Sequence, residues 1–170
     1  GLAGAKVAMN FTNNTVRAEA AHASLVAAGL TTGLFRADVT NESEIDGMFK
    51  AIEDSLGPVD IVVASATPPQ PQRTIEDYDW DFYQQMYDFF VKSPFLLARR
   101  ALPRMKARRH GRIVNLTSEV FLLGGSPFSA YGAAKGGQTG WSRSMCHELA
   151  PWGITINMIA PGWIPVERHA

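Results

Sequence analysis

The sequence predicts an α/β protein built on a doubly wound parallel sheet. Short apolar segments typical of strands alternate along the chain with segments typical of helices, and the connections between them are short. This alternation is typical of βα units, whose strands lie parallel in one sheet. The segment VDIVVASA (59–66) is continuously apolar, which is the pattern of a parallel strand covered on both faces.

Two strands and two helices are predicted before that segment. In chain order, the first three are the strand KVAMNF (6–11), an alanine-rich helix (about 15–28) and the strand TGLFRADV (32–39). Asn41 and Glu44 resemble a capping box at the start of the second helix, whose apolar residues recur at intervals of three and four. The pair Gly57 and Pro58 ends this helix.

The second half of the chain continues the alternation. Residues 79–108 carry an apolar face and predict a long helix that Pro94 and Pro103 kink or interrupt. The remaining elements are the strand RIVNLT (112–117), a helix over about 129–152 and the strand ITINMI (154–159). With neither an internal repeat nor a linker in the sequence, we expect a single domain over residues 1–170.

Composition argues against several classes of partner. Sixteen basic residues balance sixteen acidic ones, so no overall field favours nucleic acid or an anionic membrane. The basic residues between 99 and 109 end a helical segment, where cations complement the helix dipole.

The cysteine and histidine content concerns the compartment and metal binding. Cys146 is the single cysteine, which favours a reducing compartment, and we expect the cytoplasm. The four histidines share no metal-ligand spacing, so we expect no metal site.

A tyrosine and a lysine lie four residues apart at the start of the predicted 129–152 helix. This spacing places Tyr131 and Lys135 on one helix face. Ser118 follows a predicted strand, and a later strand is followed by Pro161 and Gly162. Because the carboxyl ends of parallel strands line the ligand crevice of a doubly wound sheet, we expect these residues to face one cleft.

These residue types suit acid–base chemistry on a carbonyl. A phenol has an ordinary pKa near 10, so about three pH units separate it from a useful acid–base group. An ammonium about 4 Å away contributes roughly 4 kcal/mol at an effective dielectric near 20. A serine hydroxyl can donate to the carbonyl oxygen as negative charge develops. Taken singly, each residue also has an ordinary role in packing, solvation or a strand end.

The sequence resembles the short-chain dehydrogenase/reductase family, and most closely its members similar to 3-oxoacyl-carrier-protein reductases. The resemblance rests on ADV (37–39), GPVDIVVASA (57–66), GRIVNLTS (111–118), YGAAK (131–135) and GITINMIAPGWI (153–164). It implies a Rossmann-like fold, a nicotinamide cofactor and reversible reduction of a carbonyl, with a 3-oxoacyl thioester as a candidate substrate. It also implies a homodimer or homotetramer formed through the two long helices.

The resemblance implies a role for each matching position. Tyr131 would be the proton donor or acceptor, Lys135 its electrostatic partner and a ribose ligand, and Ser118 the group that polarises the carbonyl. The other implied cofactor contacts are Asp38 and Val39 at the adenine, Ala64 near the ribose, and Pro161, Gly162 and Ile164 around the nicotinamide. Thr12 lies where an acidic residue would repel the 2′-phosphate of NADP, so NADP is expected over NAD.

Several positions depart from the family pattern. The chain starts at what resembles the end of a helix, so we expect it to lack the family's first strand, its glycine-rich turn and a C-terminal segment. Ala64 begins ASAT where the family has NNAG, Phe90 replaces an asparagine that helps connect the lysine to solvent, and Val166 replaces a threonine. These substitutions leave open a non-catalytic dinucleotide-binding or scaffold protein on the same fold.

Two further features concern surfaces. The glycines at 132, 136, 137 and 140 lie inside a predicted helix, where each costs up to about 1 kcal/mol relative to alanine. They favour close helix packing, with a frayed helix as the alternative. The segment VFLLGGSPF (120–128) and Trp163 predict an apolar wall beside the site.

Overall fold

The computed structural model describes residues 1–162 and 164. The chain divides into two units, Gly1–Val59 and Asp60–Ala170. Each unit contains parallel strands joined through helices, which confirms the predicted α/β class. The expectation of a single domain over residues 1–170 stays a prediction.

The first unit is a two-stranded parallel sheet with two helices. Its elements are β1 (Val7–Phe11), α1 (Thr15–Ala27), β2 (Thr32–Arg36) and α2 (Glu42–Ser55). Strand β1 pairs with β2 in a register that places Val7 opposite Thr32. Met48, Phe49 and the other apolar residues that recur along α2 are buried, so the predicted periodicity is confirmed.

The cap of α2 forms only in part as predicted. The Asn41 side chain accepts hydrogen bonds from the main-chain N–H groups of Ser43 and Glu44, at 3.1 and 3.4 Å. The Glu44 carboxylate, however, accepts from the main-chain N–H of Asp38 at 2.8 Å. The reciprocal bond to Asn41 expected of a capping box is therefore replaced by one that fixes the end of the β2 segment.

The second unit contains a three-stranded parallel sheet in the order β3-β4-β5. Its strands and helices are β3 (Ile61–Ala64), α3 (Trp80–Tyr87), α4 (Ser93–Arg108), β4 (Gly111–Leu116), α5 (Glu119–Leu123), α6 (Ser129–Leu149) and β5 (Ile154–Ile159). Short 3₁₀ turns occupy Ile75–Asp77 and Ala150–Trp152. Helix α5 has no counterpart among the predicted elements.

Strand β3 is covered on one face only. Val62 and Ala64 are buried, whereas Ile61 and Val63 are 53% and 55% exposed. Helix α4 packs on β3 and β4, and α6 packs on β5. The prediction that 59–66 is covered on both faces is therefore wrong for the described residues, because a continuous apolar run does not reveal which face a helix covers.

The long helix predicted over 79–108 is interrupted before Pro94. Residues Asp88–Lys92 form one turn of π-helix, in which the main-chain N–H of Ser93 donates to the carbonyl of Asp88. Proline lacks an N–H and strains the preceding turn, which gives a physical reason for the wider turn at this position. The π turn places Phe90 in a buried cluster with Met86, Ala130 and Ala134.

Candidate active site

Ser118 lies at the junction between β4 and α5. Its Oγ atom accepts a hydrogen bond from the main-chain N–H of Val120 at 3.2 Å and caps the short helix. The residue is 8% exposed. Because it accepts this bond, the hydroxyl keeps its proton available for donation to a ligand.

Tyr131 and Lys135 lie in the first two turns of α6. The Tyr131 ring packs edge-on against the Phe90 ring, with 5.3 Å between the ring centres. The centre of the Phe128 ring lies 6.1 Å from that of Tyr131, and the two rings are tilted relative to each other. The Nζ atom of Lys135 lies 5.6 Å from the centre of the Tyr131 ring. The spacing therefore brings the phenol and the amine to one face of α6, as predicted.

The amine of Lys135 is buried among specific partners. The residue is 4% exposed. Its Nζ atom donates to the carbonyl of Leu116 and to Oε1 of Gln138, and it lies 3.8 Å from the centre of the Phe90 ring. Burial lowers the pKa of Lys135 from 10.5 to about 7, so the amine gives up its proton more readily than an exposed lysine does.

One cavity of about 730 Å³ joins the predicted residues of the second unit. Its volume lies in the range of small-molecule and cofactor sites. The predicted residues among its lining are Ala64, Ser118, Tyr131, Lys135, Pro161, Gly162 and Ile164. They come from the carboxyl ends of three parallel strands and from α6, which is where a doubly wound sheet binds ligands.

The rest of the cavity wall has an apolar side and a polar side. Val120, Leu123 and Phe128 form part of the apolar side, as predicted from the segment 120–128. Gln70, Gln72 and other polar residues of the loop after β3 also line it, and no sequence pattern marked them. Trp163, predicted for the apolar wall, and Val166, which replaces the family's threonine, lie outside the described residues.

The cofactor residues predicted in the first unit cluster at the ends of β1 and β2. Thr12 Oγ1 donates to the carbonyl of Ala37 at 3.0 Å. Asp38 accepts from the main chain and the hydroxyl of Thr40, both at 2.8 Å, and Val39 is buried. The ends of the two strands are thereby tied to one another.

Arg36 lies beside a predicted cofactor residue and has no counterpart among the residues predicted from the sequence. Its Nε atom donates to the carbonyl of Thr12 at 3.0 Å, which places an exposed guanidinium beside the residue expected to face the ribose. Twenty-four positions separate the two residues in sequence. The parallel pairing of β1 with β2 sets Phe11 opposite Arg36, and that pairing is the signal that could have found it.

Two classes of feature are absent from the described part of the chain. Among residues 1–162 and 164, no three His, Cys, Asp or Glu side chains gather closely enough to hold a metal ion. No helix within this same part has the length and apolar character needed to cross a membrane.

The sequence is similar to a family of dehydrogenases and to curated members of it. The sequence model described as short chain dehydrogenase matches residues 2–169. The 3-oxoacyl-(acyl-carrier-protein) reductase FabG of Staphylococcus aureus is 32% identical over 163 residues, covering 95% of this chain and 65% of the relative. The 2-dehydro-3-deoxy-D-gluconate 5-dehydrogenase of Formosa agariphila is 29% identical, covering 100% and 64%. The chain thus spans 64–65% of the length of these two relatives.

Solved structures show the same fold. A gluconate 5-dehydrogenase from Burkholderia cenocepacia, in complex with NADP and tartrate, has a TM-score of 0.87 at 26% identity, covering 98% of this chain and 64% of that one. A xylitol dehydrogenase bound to NAD⁺ also has a TM-score of 0.87, at 25% identity, covering 95% and 63%.

Proposed function

Because the chain belongs to the short chain dehydrogenase family, we propose that it is an NAD(P)-dependent oxidoreductase that interconverts a carbonyl and a secondary alcohol. The observation that carries this proposal is the convergence of Ser118, Tyr131 and Lys135 on one cavity. A non-catalytic scaffold on the same fold has no need for a serine, a phenol and a buried amine at one point. The catalytic alternative is therefore favoured.

The residues of the cavity fit the nicotinamide end of the cofactor. The cavity lies at strand carboxyl ends, and Ala64 and Gly162 leave space there because their side chains are minimal. When bound, the nicotinamide supplies or accepts the hydride. We propose Ala64, Pro161, Gly162 and Ile164 as its neighbours, and Thr12, Asp38 and Val39 as residues of the adenosine half.

The three polar side chains have separate roles in this proposal. In the reducing direction, Tyr131 gives its phenolic proton to the substrate oxygen as that oxygen gains negative charge. Ser118 donates its hydroxyl proton in a hydrogen bond to the same oxygen. Lys135 stabilises the phenolate by charge and therefore acts best while its amine is protonated.

We propose NADP as the preferred cofactor. No acidic side chain follows β1 directly, where a carboxylate would repel a 2′-phosphate. Arg36, hydrogen-bonded to Thr12, adds a cation whose geometry suits a phosphate. The Burkholderia cenocepacia neighbour binds NADP, and the xylitol dehydrogenase binds NAD⁺, so the residues of this chain decide the preference.

The substrate is proposed to be a small carbonyl compound with an apolar portion, and a 3-oxoacyl thioester is the leading candidate. Val120, Leu123 and Phe128 supply the apolar wall, and the Staphylococcus aureus relative is a 3-oxoacyl reductase. The test is to offer the full-length protein NADPH with acetoacetyl thioesters, gluconate-type keto acids and simple ketones, and to follow NADPH consumption. Consumption that depends on a carbonyl supports the proposal, and its absence with every class contradicts it.

A homodimer or homotetramer through α4 and α6 is the proposed assembly, in the cytoplasm. A groove between these helices is lined by the apolar residues Phe95, Ala98, Leu102, Trp141 and Met145. Phe95 is 43% exposed there.

The glycines of α6 differ in the space beside them. An added Cβ at Gly137 would lie 3.2 Å from Val91, whereas one at Gly140 would have nothing within 4 Å. The surface near Gly140 therefore has room for a partner helix.

A further inference from the structure

Helix α6 carries a buried amide three residues after Lys135. Gln138 is 1% exposed, and its Oε1 atom accepts a hydrogen bond from Lys135 Nζ at 3.3 Å. A buried amide is unfavourable unless its polar atoms have partners. An apolar side chain would fill this position with a smaller desolvation penalty, so helix packing alone does not explain the glutamine.

The neighbouring polar contacts of α6 involve the backbone of Gln138 and not its amide. Ser142 Oγ donates to the main-chain carbonyl of Gln138 at 2.7 Å and accepts from Asn115 Nδ2 at 2.8 Å. Replacing the Gln138 side chain leaves those bonds intact. The contact that depends on the amide oxygen is the one with Lys135.

Among the described residues, three groups lie closer to the Lys135 amine than the Tyr131 ring does. They are the Leu116 carbonyl, the Gln138 amide oxygen and the face of the Phe90 ring. An ammonium has three N–H donors, and each of these groups attracts positive charge. Phe90 has no acceptor atom, so Gln138 supplies the side-chain oxygen among the three.

Among the described residues, no other side chain of the cavity makes a hydrogen bond to the Lys135 amine. Within residues 1–162 and 164, the ionisable residues that line the cavity with Lys135 are Tyr131 on α6 and Glu119 on α5. Strand β3 contributes Ala64, and the loop after it contributes neutral polar side chains. Burial opposes the charged amine, and the two oxygens and the ring act in the opposite direction.

We propose that Gln138 is a positioning residue that holds the Lys135 amine in its protonated form between β4 and the Phe90 ring. The position of the amine beside Tyr131 then depends on a residue that takes no part in the reaction itself. The consequence for catalysis rests on the proposed function, whereas the consequence for the charge of Lys135 does not.

The proposal is tested by titrating Lys135 in the full-length protein labelled with ¹³C at lysine Cε and followed by NMR. Lys135→Met identifies the signal. Gln138→Leu and Gln138→Met remove the acceptor at similar volume, and each should lower the pKa of Lys135 by about one pH unit. Gln138→Glu restores an acceptor with negative charge and should raise it.

Ser142→Ala is the matched control, since Ser142 is also buried on α6 but bonds Asn115 and the main-chain carbonyl of Gln138, so its loss leaves the amide oxygen of Gln138 in place. It should leave the Lys135 titration unchanged. If Lys135 titrates alike in the wild type and in a folded Gln138→Leu or Gln138→Met protein, the proposal is overturned. The proposed function fails by a different measurement: the wild type would consume no NADPH with any carbonyl substrate. The titration of Lys135 does not depend on that result.

A kinetic measurement separates positioning from mere stability. In the direction of alcohol oxidation, Gln138→Leu should move the rise of kcat/KM with pH to higher pH, because a less charged lysine stabilises the phenolate less. Gln138→Glu should move it to lower pH. A loss of activity in Gln138→Leu that is equal at every pH would contradict the positioning role.

Discussion

The Nζ atom of Lys135 lies 3.8 Å from the centre of the Phe90 ring, so a phenyl face occupies one side of the amine. The same ring packs edge-on against Tyr131. A phenyl ring attracts a cation but neither accepts nor delivers a proton in a hydrogen-bonded chain. Phe90 is 2% exposed, and it separates the amine from polar contacts on that side.

Phe90→Asn is expected to raise kcat of the full-length protein. If Phe90 limits proton delivery to Tyr131, the wild type shows a sizeable solvent isotope effect on kcat, and the asparagine reduces it. The substitution also removes a buried ring from the cluster with Met86, at a cost of about 3 kcal/mol in stability. Phe90→Leu is the control that removes the ring without adding a polar group. An unchanged isotope effect in a folded Phe90→Asn protein would show that Phe90 does not limit proton delivery.

The buried amine predicts a dependence of stability on pH. Burial lowers the pKa of Lys135 from 10.5 to about 7, so between these values the unfolded chain binds more protons than the folded one. The free energy of unfolding therefore rises with pH across this window. Between pH 7 and 9, urea denaturation should show the wild type gaining about 1–2 kcal/mol relative to Lys135→Met. A constant difference between the two proteins would mean that the amine is not buried in its neutral form.

Arg36 is expected to favour NADPH over NADH. A guanidinium that contacts a phosphate contributes a charged hydrogen bond, so Arg36→Ala should weaken NADPH binding by about tenfold and leave NADH binding nearly unchanged. Lys6→Ala removes an equal charge before the start of β1, where Lys6 Nζ donates to the carbonyl of Leu56, and serves as the control. Calorimetry with each cofactor measures the effect. Equal losses for both cofactors would assign Arg36 a structural role.

The proposed assembly through α4 and α6 is tested at Phe95. Phe95→Asp places a charge in the apolar groove between these helices and should lower the mass measured by light scattering to that of a smaller species. Trp80→Asp is the control, because Trp80 is also exposed, at 69%, but lies on α3. If Phe95→Asp leaves the mass unchanged, subunits do not associate through this groove.

Much of the fold follows from the order of apolar segments. Each of the five predicted strands has a counterpart among the described residues, and so do the helices predicted over about 15–28 and 129–152. The helix predicted over 79–108 is instead divided at Asp88–Lys92. The sequence did not predict that one face of β3 is exposed, since Ile61 and Val63 are as apolar as the buried Val62. The sequence did not predict the π turn at Asp88–Lys92 either. Pro94 indicates that the helix is interrupted, but not which kind of turn forms there.

The candidate site was predictable where it depends on spacing and not where it depends on main-chain atoms. The four-residue spacing of Tyr131 and Lys135 placed both in one cavity. Lys135 donates to the main-chain carbonyl of Leu116. Because every residue has a main-chain carbonyl, the amino-acid sequence does not indicate which one Lys135 bonds. Gln138 was detectable, since a position three residues after Lys135 lies on the same helix face.

The most direct test of the account is the activity of Tyr131→Phe in the full-length protein. With the best carbonyl substrate, this change should lower kcat by about 10²–10⁴-fold while NADPH still binds, because it removes one oxygen atom and leaves the ring against Phe90. Tyr83→Phe is the control: it removes a hydroxyl that bonds Ser129 at 2.7 Å and should retain activity. If Tyr131→Phe consumes NADPH as fast as the wild type, Tyr131 is not the acid–base residue and the catalytic assignment fails.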